Sequence, residues 1–290
     1  MVSPFLNTAR QTVSLYRNLT SSLRLMPDFL IIGTQKGGTT SLYSYLIEHP
    51  NIISARMKEV HFFDQHFRKG PAWYQGHFPT RVHKSYVERM RKEVFITGEG
   101  SPEYLFYPHP AQKVAALLPN VKLIALLRNP VDRAYSQYRH NIRWGHETFS
   151  FEDALNLEEE RTREGRARVQ IDPNYHSFSY QRAAYLARGI YAEQLERWLN
   201  LFPRERMLII RSEDFYRDSS AIYKEVLAFL GVSVFEPRSL QLGYKAYNKS
   251  KDSDAPAKMD PALRKRLVAY FEPHNQRLYK LLGRNFAWDH

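Results

Sequence analysis

Residues 28–40 read Asp28-Phe-Leu-Ile-Ile-Gly33-Thr-Gln-Lys36-Gly37-Gly38-Thr39-Thr40, an apolar run that passes into glycines, one lysine and then hydroxyl residues. This order predicts a buried strand, a tight loop and a helix, an arrangement that makes a socket for a phosphate group. Glycines let backbone N–H groups approach an anion, the first turn of the helix adds unpaired N–H donors, and Lys36 adds a full charge. The lysine is displaced from the nucleoside-triphosphate pattern, in which it follows the last glycine; Thr39 holds that place here. The loop is therefore P-loop-like, but not one built for a Mg-nucleoside triphosphate.

The rest of the chain repeats the strand-then-helix theme. Apolar runs bounded by turn residues predict strands at Phe29–Gly33, Ile52–Ser54, Val94–Gly98, Val121–Leu127 and Met207–Arg211. Helical spacing predicts helices after the glycine loop, after Asn129-Pro130, and at Ala111–Leu118, Gln194–Leu201, Ala221–Leu230 and Pro261–Leu282. Alternation of this kind gives an α/β fold, a central parallel sheet flanked by helices on both faces, with ligands at the carboxyl ends of the strands. We expect one domain over residues 27–290, preceded by an extension of residues 1–26 that is helical or disordered, with Leu15, Leu19 and Leu23 at helical spacing. The polar segment Asn248–Ala257 reads as a loop.

Composition narrows the function classes. No apolar stretch approaches the ~20 residues of a membrane span, so no transmembrane segment is expected. The chain has no cysteine, which excludes disulfides and thiolate chemistry. With no export signal visible, this points to a cytoplasmic protein. A formal charge of +12 favours anionic partners, yet no nucleic-acid motif accompanies it.

Two further segments carry chemistry. The run Val121–Leu127 ends in Arg128-Asn129-Pro130, where a Mg-dependent NTPase would place an aspartate. Arginine instead offers a planar fork suited to a phosphate monoester, and Ser136 further along adds a hydroxyl. Lys36 and Arg128 thus suggest a ligand with phosphates at two separated places and no obligatory metal. In Lys58-Glu59-Val60-His61-Phe62-Phe63-Asp64, an extended backbone would point Glu59 and His61 to one side, and either can remove a proton from an attacking hydroxyl. No metal-ligand spacing is evident around His61 and His66.

These segments, in order with His49-Pro50, Trp73-Tyr74, Gly98-Glu99, Leu126 to Ser136, Tyr191 to Leu195, Phe271 to Asn275 and Phe286-Ala287-Trp288, resemble the sulfotransferases that use 3′-phosphoadenosine 5′-phosphosulfate. The resemblance runs from about Pro27 to the C-terminus and is greatest to the branch of heparan sulfate 3-O- and N-sulfotransferases and their bacterial relatives. It implies that Lys36, Gly37, Gly38, Thr39 and Thr40 hold the 5′-phosphosulfate and that Arg128 and Ser136 hold the 3′-phosphate. It also implies that Glu59 is the general base, that His61 and Asp64 line the acceptor site, and that Lys251 closes over the donor. The product would be adenosine 3′,5′-bisphosphate. The acceptor would be a glycan, glycolipid or small alcohol, modified at a hydroxyl or, as the second choice, an amine. The family's lysine in the Glu99-Gly100-Ser101-Pro102 segment is replaced by Gly100, and its Lys-Gly-Arg loop by Lys251-Asp252-Ser253, which points away from a heparan-type acceptor. A P-loop NTPase or kinase and a non-catalytic polyanion-binding protein are the competing readings. Oligomeric state is left open.

Overall fold

The computed structural model describes residues 12–13, 15–241 and 258–288. Lys251 and the expected loop at Asn248–Ala257 lie outside them.

The strands are β1 (Phe29–Gly33), β2 (Ile52–Ser54), β3 (Ile96–Gly100), β4 (Lys122–Leu127) and β5 (Met207–Arg211). They form one five-stranded sheet in the order β2-β3-β1-β4-β5, with every pairing parallel. The main helices are α1 (Thr39–Leu46), α2 (Arg81–Arg91), α3 (Pro110–Leu117), α4 (Pro130–Arg143), α5 (Glu158–Ile171), α6 (Tyr191–Leu199), α7 (Ser219–Leu230) and α8 (Pro261–Leu282).

Strand alternation explains the layering. Leu30 and Ile32 point to one face, where Val114 of α3, Leu195 and Trp198 of α6 and Leu278 of α8 cover them. Phe29 and Ile31 point to the other, against Leu42 and Tyr45 of α1 and Val226 and Leu227 of α7. Both faces of each central strand are thus buried, the condition that an all-parallel sheet requires.

Strand β3 begins two residues later than its apolar pattern predicts. Val94 is exposed in the turn after α2, and the strand runs on through the fully buried Glu99 to Gly100. Asn129 caps α4 as expected, its side chain accepting from the backbone N–H of Val131 at 2.9 Å and of Asp132 at 3.3 Å, with Pro130 at the first helical position. No helix among the described residues is long and apolar enough to cross a membrane.

Strand order reverses at β1, which has β3 on one side and β4 on the other. The loops leaving β1, β3 and β4 therefore converge at the carboxyl edge of the sheet, where a crevice opens in folds of this type.

Candidate active site

A cleft of about 550 Å³ occupies that crevice, and its walls include Lys36, Thr39, Thr40, Glu59, His61, Arg128 and Ser136. Residues separated by a hundred positions in sequence therefore share one cavity.

The glycine loop forms its floor. Gly38 sits at φ 99° immediately before α1, a left-handed conformation that glycine adopts without steric penalty. Gly37 is pressed against β4: a Cβ there would lie 2.7 Å from the Leu126 carbonyl oxygen. Ser212, just beyond β5, donates to the Gly37 carbonyl at 2.8 Å. The first turn of α1 leaves backbone N–H groups of Thr39, Thr40 and Ser41 without partners inside the helix.

Lys36 stands over this floor with no carboxylate partner among the described residues. Burial, and then the charges of Arg128, Arg143 and Arg133, push its ammonium down to about 8. Crowded cations with no counter-charge make a site that an anion would relieve. Arg128 donates to the Lys36 carbonyl at 3.2 Å and lies over the Tyr216 ring at 5.8 Å. Its own backbone is fixed by Tyr191, whose hydroxyl donates to the Arg128 carbonyl at 2.7 Å. The next residue is held by Glu213, which accepts from the Asn129 N–H at 2.8 Å and from the Trp288 indole at 3.1 Å.

The opposite wall is a chain of paired charges. Lys58 lies 2.5 Å from one oxygen of Glu59 and donates to Thr40 at 2.7 Å, which ties this wall to the start of α1. His61 approaches the other Glu59 oxygen at 3.3 Å and Asp64 at 2.9 Å. Burial alone would push the Glu59 carboxyl up, but the bonds from His61 and the charge of Lys58 outweigh it and hold the group at about 2. Burial likewise pushes the His61 ring down, yet Asp64 and Glu59 raise it to about 11. At neutral pH Glu59 is therefore a carboxylate and His61 an imidazolium.

Backbone geometry differs here from a plain extended segment. His61 sits at φ 52° and opens a short π-helical turn, Phe62–His66. Glu59 and His61 still meet, through this kink. Asp64 does not line the cleft: its side chain is fully buried behind His61, with Oδ1 unpartnered. The segment is positioned from β3. Glu99 accepts from the Val60 N–H at 3.3 Å, Ser101 at 2.6 Å, Tyr104 at 2.7 Å and Tyr74 at 3.2 Å. Ser101 also accepts from the His61 N–H at 3.1 Å, and Tyr104 from the Phe62 N–H at 2.9 Å.

A sulfotransferase-domain family profile matches residues 26–276. This chain belongs to the sulfotransferase family. A solved sulfotransferase from Alicyclobacillus acidocaldarius is similar over 92% of this chain and 100% of its own, at 35% identity and a TM-score of 0.68. The membrane-associated sulfotransferase kil1 of Dictyostelium discoideum is 28% identical over 92% of this chain and 67% of its own length. Mouse heparan sulfate glucosamine 3-O-sulfotransferase 3A1 is 28% identical over 91% of this chain and 65% of its own. The chain thus spans about two thirds of the length of these two relatives.

In this sulfotransferase several cleft residues escaped the reading of the sequence. Arg143 and Arg182 bring further positive charge to the Lys36 side, whereas burial and the charges of Lys36, Arg182 and Arg143 press His140 down to about 4 and leave it a neutral imidazole. A signal existed for two of them, since His140 and Arg143 follow Ser136 at helical spacing on α4. Tyr216 gave none: it reaches the loop only because the short helix after β5, Ser212–Arg217, packs against Gly38. The pairing of Lys58 with both Glu59 and Thr40 was equally invisible, although Lys58 stands in the motif.

Proposed function

We propose that this sulfotransferase moves a sulfuryl group from 3′-phosphoadenosine 5′-phosphosulfate to a hydroxyl of a carbohydrate or glycolipid acceptor, with Glu59 as the general base. The observation that carries this reading is the opposition, across one cleft, of the uncompensated cations Lys36 and Arg128 to a carboxylate held ionised. The buried, crowded Lys36, the glycine floor and the free N–H groups of α1 suit the 5′ end of the donor; Arg128 and Ser136 suit its 3′-phosphate. The name of the mouse relative supports a glycan hydroxyl as acceptor.

When bound, the donor supplies an activated sulfuryl group and departs as adenosine 3′,5′-bisphosphate. Lys36 and the loop N–H groups meet the negative charge that grows on the leaving 5′-phosphate, a contribution whose loss typically costs about 10²–10³ in rate. Arg128 and Ser136 fix the far end of the nucleotide and so the direction of approach. Glu59 is ionised at every working pH, and Lys58 and His61 occupy one lone-pair site on each of its oxygens, which leaves acceptor capacity on both. A carboxylate of such low basicity takes the proton late, when bonding to sulfur has made the attacking oxygen acidic. His61, protonated and engaged at both ring nitrogens, orients Glu59 and is no base itself. We read the catalytic unit as one domain over residues 27–290, supported by core packing that runs from Phe29 to Trp288.

Incubation with labelled phosphosulfate donor and a panel of glycans, glycolipids and small alcohols tests this. Label transferred to one class, with release of the bisphosphate, supports it; transfer to amines alone would move the reading to N-sulfation. ATP turnover without sulfuryl transfer would refute it.

A further inference from the structure

Helix α2 carries its apolar side chains on the side away from the protein. Val82, Tyr86 and Met90 recur at four-residue steps and are 76%, 63% and 66% exposed. The half-buried residues of the helix are Lys84, Val87 and Glu88, on the opposite side, and no residue of it is buried. The helix is nonetheless tethered at both ends. Thr80 caps it by accepting from the His83 N–H at 3.2 Å, Glu88 accepts from the Phe95 N–H at 3.3 Å, and Arg91 donates to Asn51 at 3.1 Å.

The chain before β1 repeats this inversion. Leu15, Leu19 and Leu23 are exposed at the same spacing, whereas Arg17 and Arg24 turn inward to the carbonyls of Gly76 and Phe78 at 2.5 Å and 3.1 Å. The two segments meet where Arg24 bridges Thr80. Single exposed hydrophobic residues are ordinary, but a regular stripe continued by a second one marks an interaction surface.

Charge indicates the occupant. Between Arg81 and Lys92 there are five basic residues and one acidic residue. Lys84 pairs with Glu88 and Arg91 bonds Asn51. Arg81, Arg89 and Lys92 remain exposed and without an ion-pair partner among the described residues. An apolar stripe edged by free cations suits a helix lying in the headgroup layer of an anionic bilayer. A second copy of this chain would bring like charges face to face.

We propose that α2, with the edge formed by residues 15–23, is a reversible docking surface for an anionic lipid bilayer. Both ends of α2 attach at the amino edge of the sheet, beside Asn51 before β2 and beside Arg24 before β1, while the cleft opens at the carboxyl edge. A docked molecule therefore keeps its cleft open to water.

Flotation of the full chain with vesicles tests the proposal. The protein should float with phosphatidylcholine vesicles containing phosphatidylserine and stay behind with phosphatidylcholine alone. The combined variant Val82→Ser, Tyr86→Ser, Met90→Ser should weaken partitioning about tenfold or more, and Arg89→Gln and Lys92→Gln by about fivefold each. Circular dichroism and thermal melting of these variants should match the parent, since the substituted side chains are exposed. Failure of the parent to float, or equal flotation of the triple serine variant, would overturn the proposal. So would a parent that stays off vesicles but forms a dimer which the triple variant loses, a result that assigns the face to a second copy.

Discussion

The two walls of the cleft treat charge in opposite ways. On the glycine-loop side, Lys36, Arg128, Arg143 and Arg182 have no carboxylate partner among the described residues, and burial together with the charges of Arg128, Arg143 and Arg133 brings Lys36 down to about 8. Across the cleft, Lys58, Glu59, His61 and Asp64 neutralise one another at 2.5 to 3.3 Å, and Glu103 pairs with Arg188 at 2.6 Å. One wall stores positive charge for a ligand that brings the negative charge; the other is complete without a ligand. The first is suited to hold a polyanionic donor tightly, and the second to position a proton acceptor while placing little demand on the charge of its partner.

Substitutions on the two walls should therefore fail differently. Glu59→Gln should lower kcat by about 10²–10⁴, the range for a lost general base, while a titration finds bisphosphate affinity little changed. Lys36→Met should lose about 10²–10³ in kcat/KM and weaken bisphosphate binding as well. If the two variants behaved alike in both assays, the division of labour would be wrong. Arg128→Lys keeps the charge but loses the fork, and should weaken the bisphosphate about tenfold by calorimetry without altering the pH profile. His61→Gln sharpens the contrast. It removes one of the partners that hold Glu59 at about 2, so the carboxyl rises and an acid limb enters the kcat/KM profile, where the parent shows none.

Much of this was legible in the sequence because it rests on local rules. Strands β1, β2 and β5 match their apolar runs, the Asn129-Pro130 cap starts α4, and α8 spans its pattern despite Pro273. These elements bury what their sequences say they should. The far end of β3 was misplaced because Glu99 is a fully buried carboxyl whose tyrosine partners come from two other segments, a pairing only the tertiary fold supplies. Helix α2 was missed since its apolar residues face water rather than a core, and α5 since its charged run reads as solvated surface. At the site, Lys36, Glu59 and Arg128 stood out by motif, whereas the clamping of His61 between two carboxylates depended on a backbone kink with no sequence signature.

The displaced protonation of Lys36 gives the most direct test. The ordinary lysine value is 10.5, and the folded chain holds this group at about 8. Across that interval the native state binds fewer protons than the unfolded state, so this group's contribution to stability grows as pH rises. A bound anion reverses the depression, and protons must be taken up. Titration of adenosine 3′,5′-bisphosphate at a pH just above that value, repeated in buffers of different ionisation enthalpy, should show proton uptake that Lys36→Met abolishes. Binding without uptake, or uptake that persists in the variant, would contradict the account.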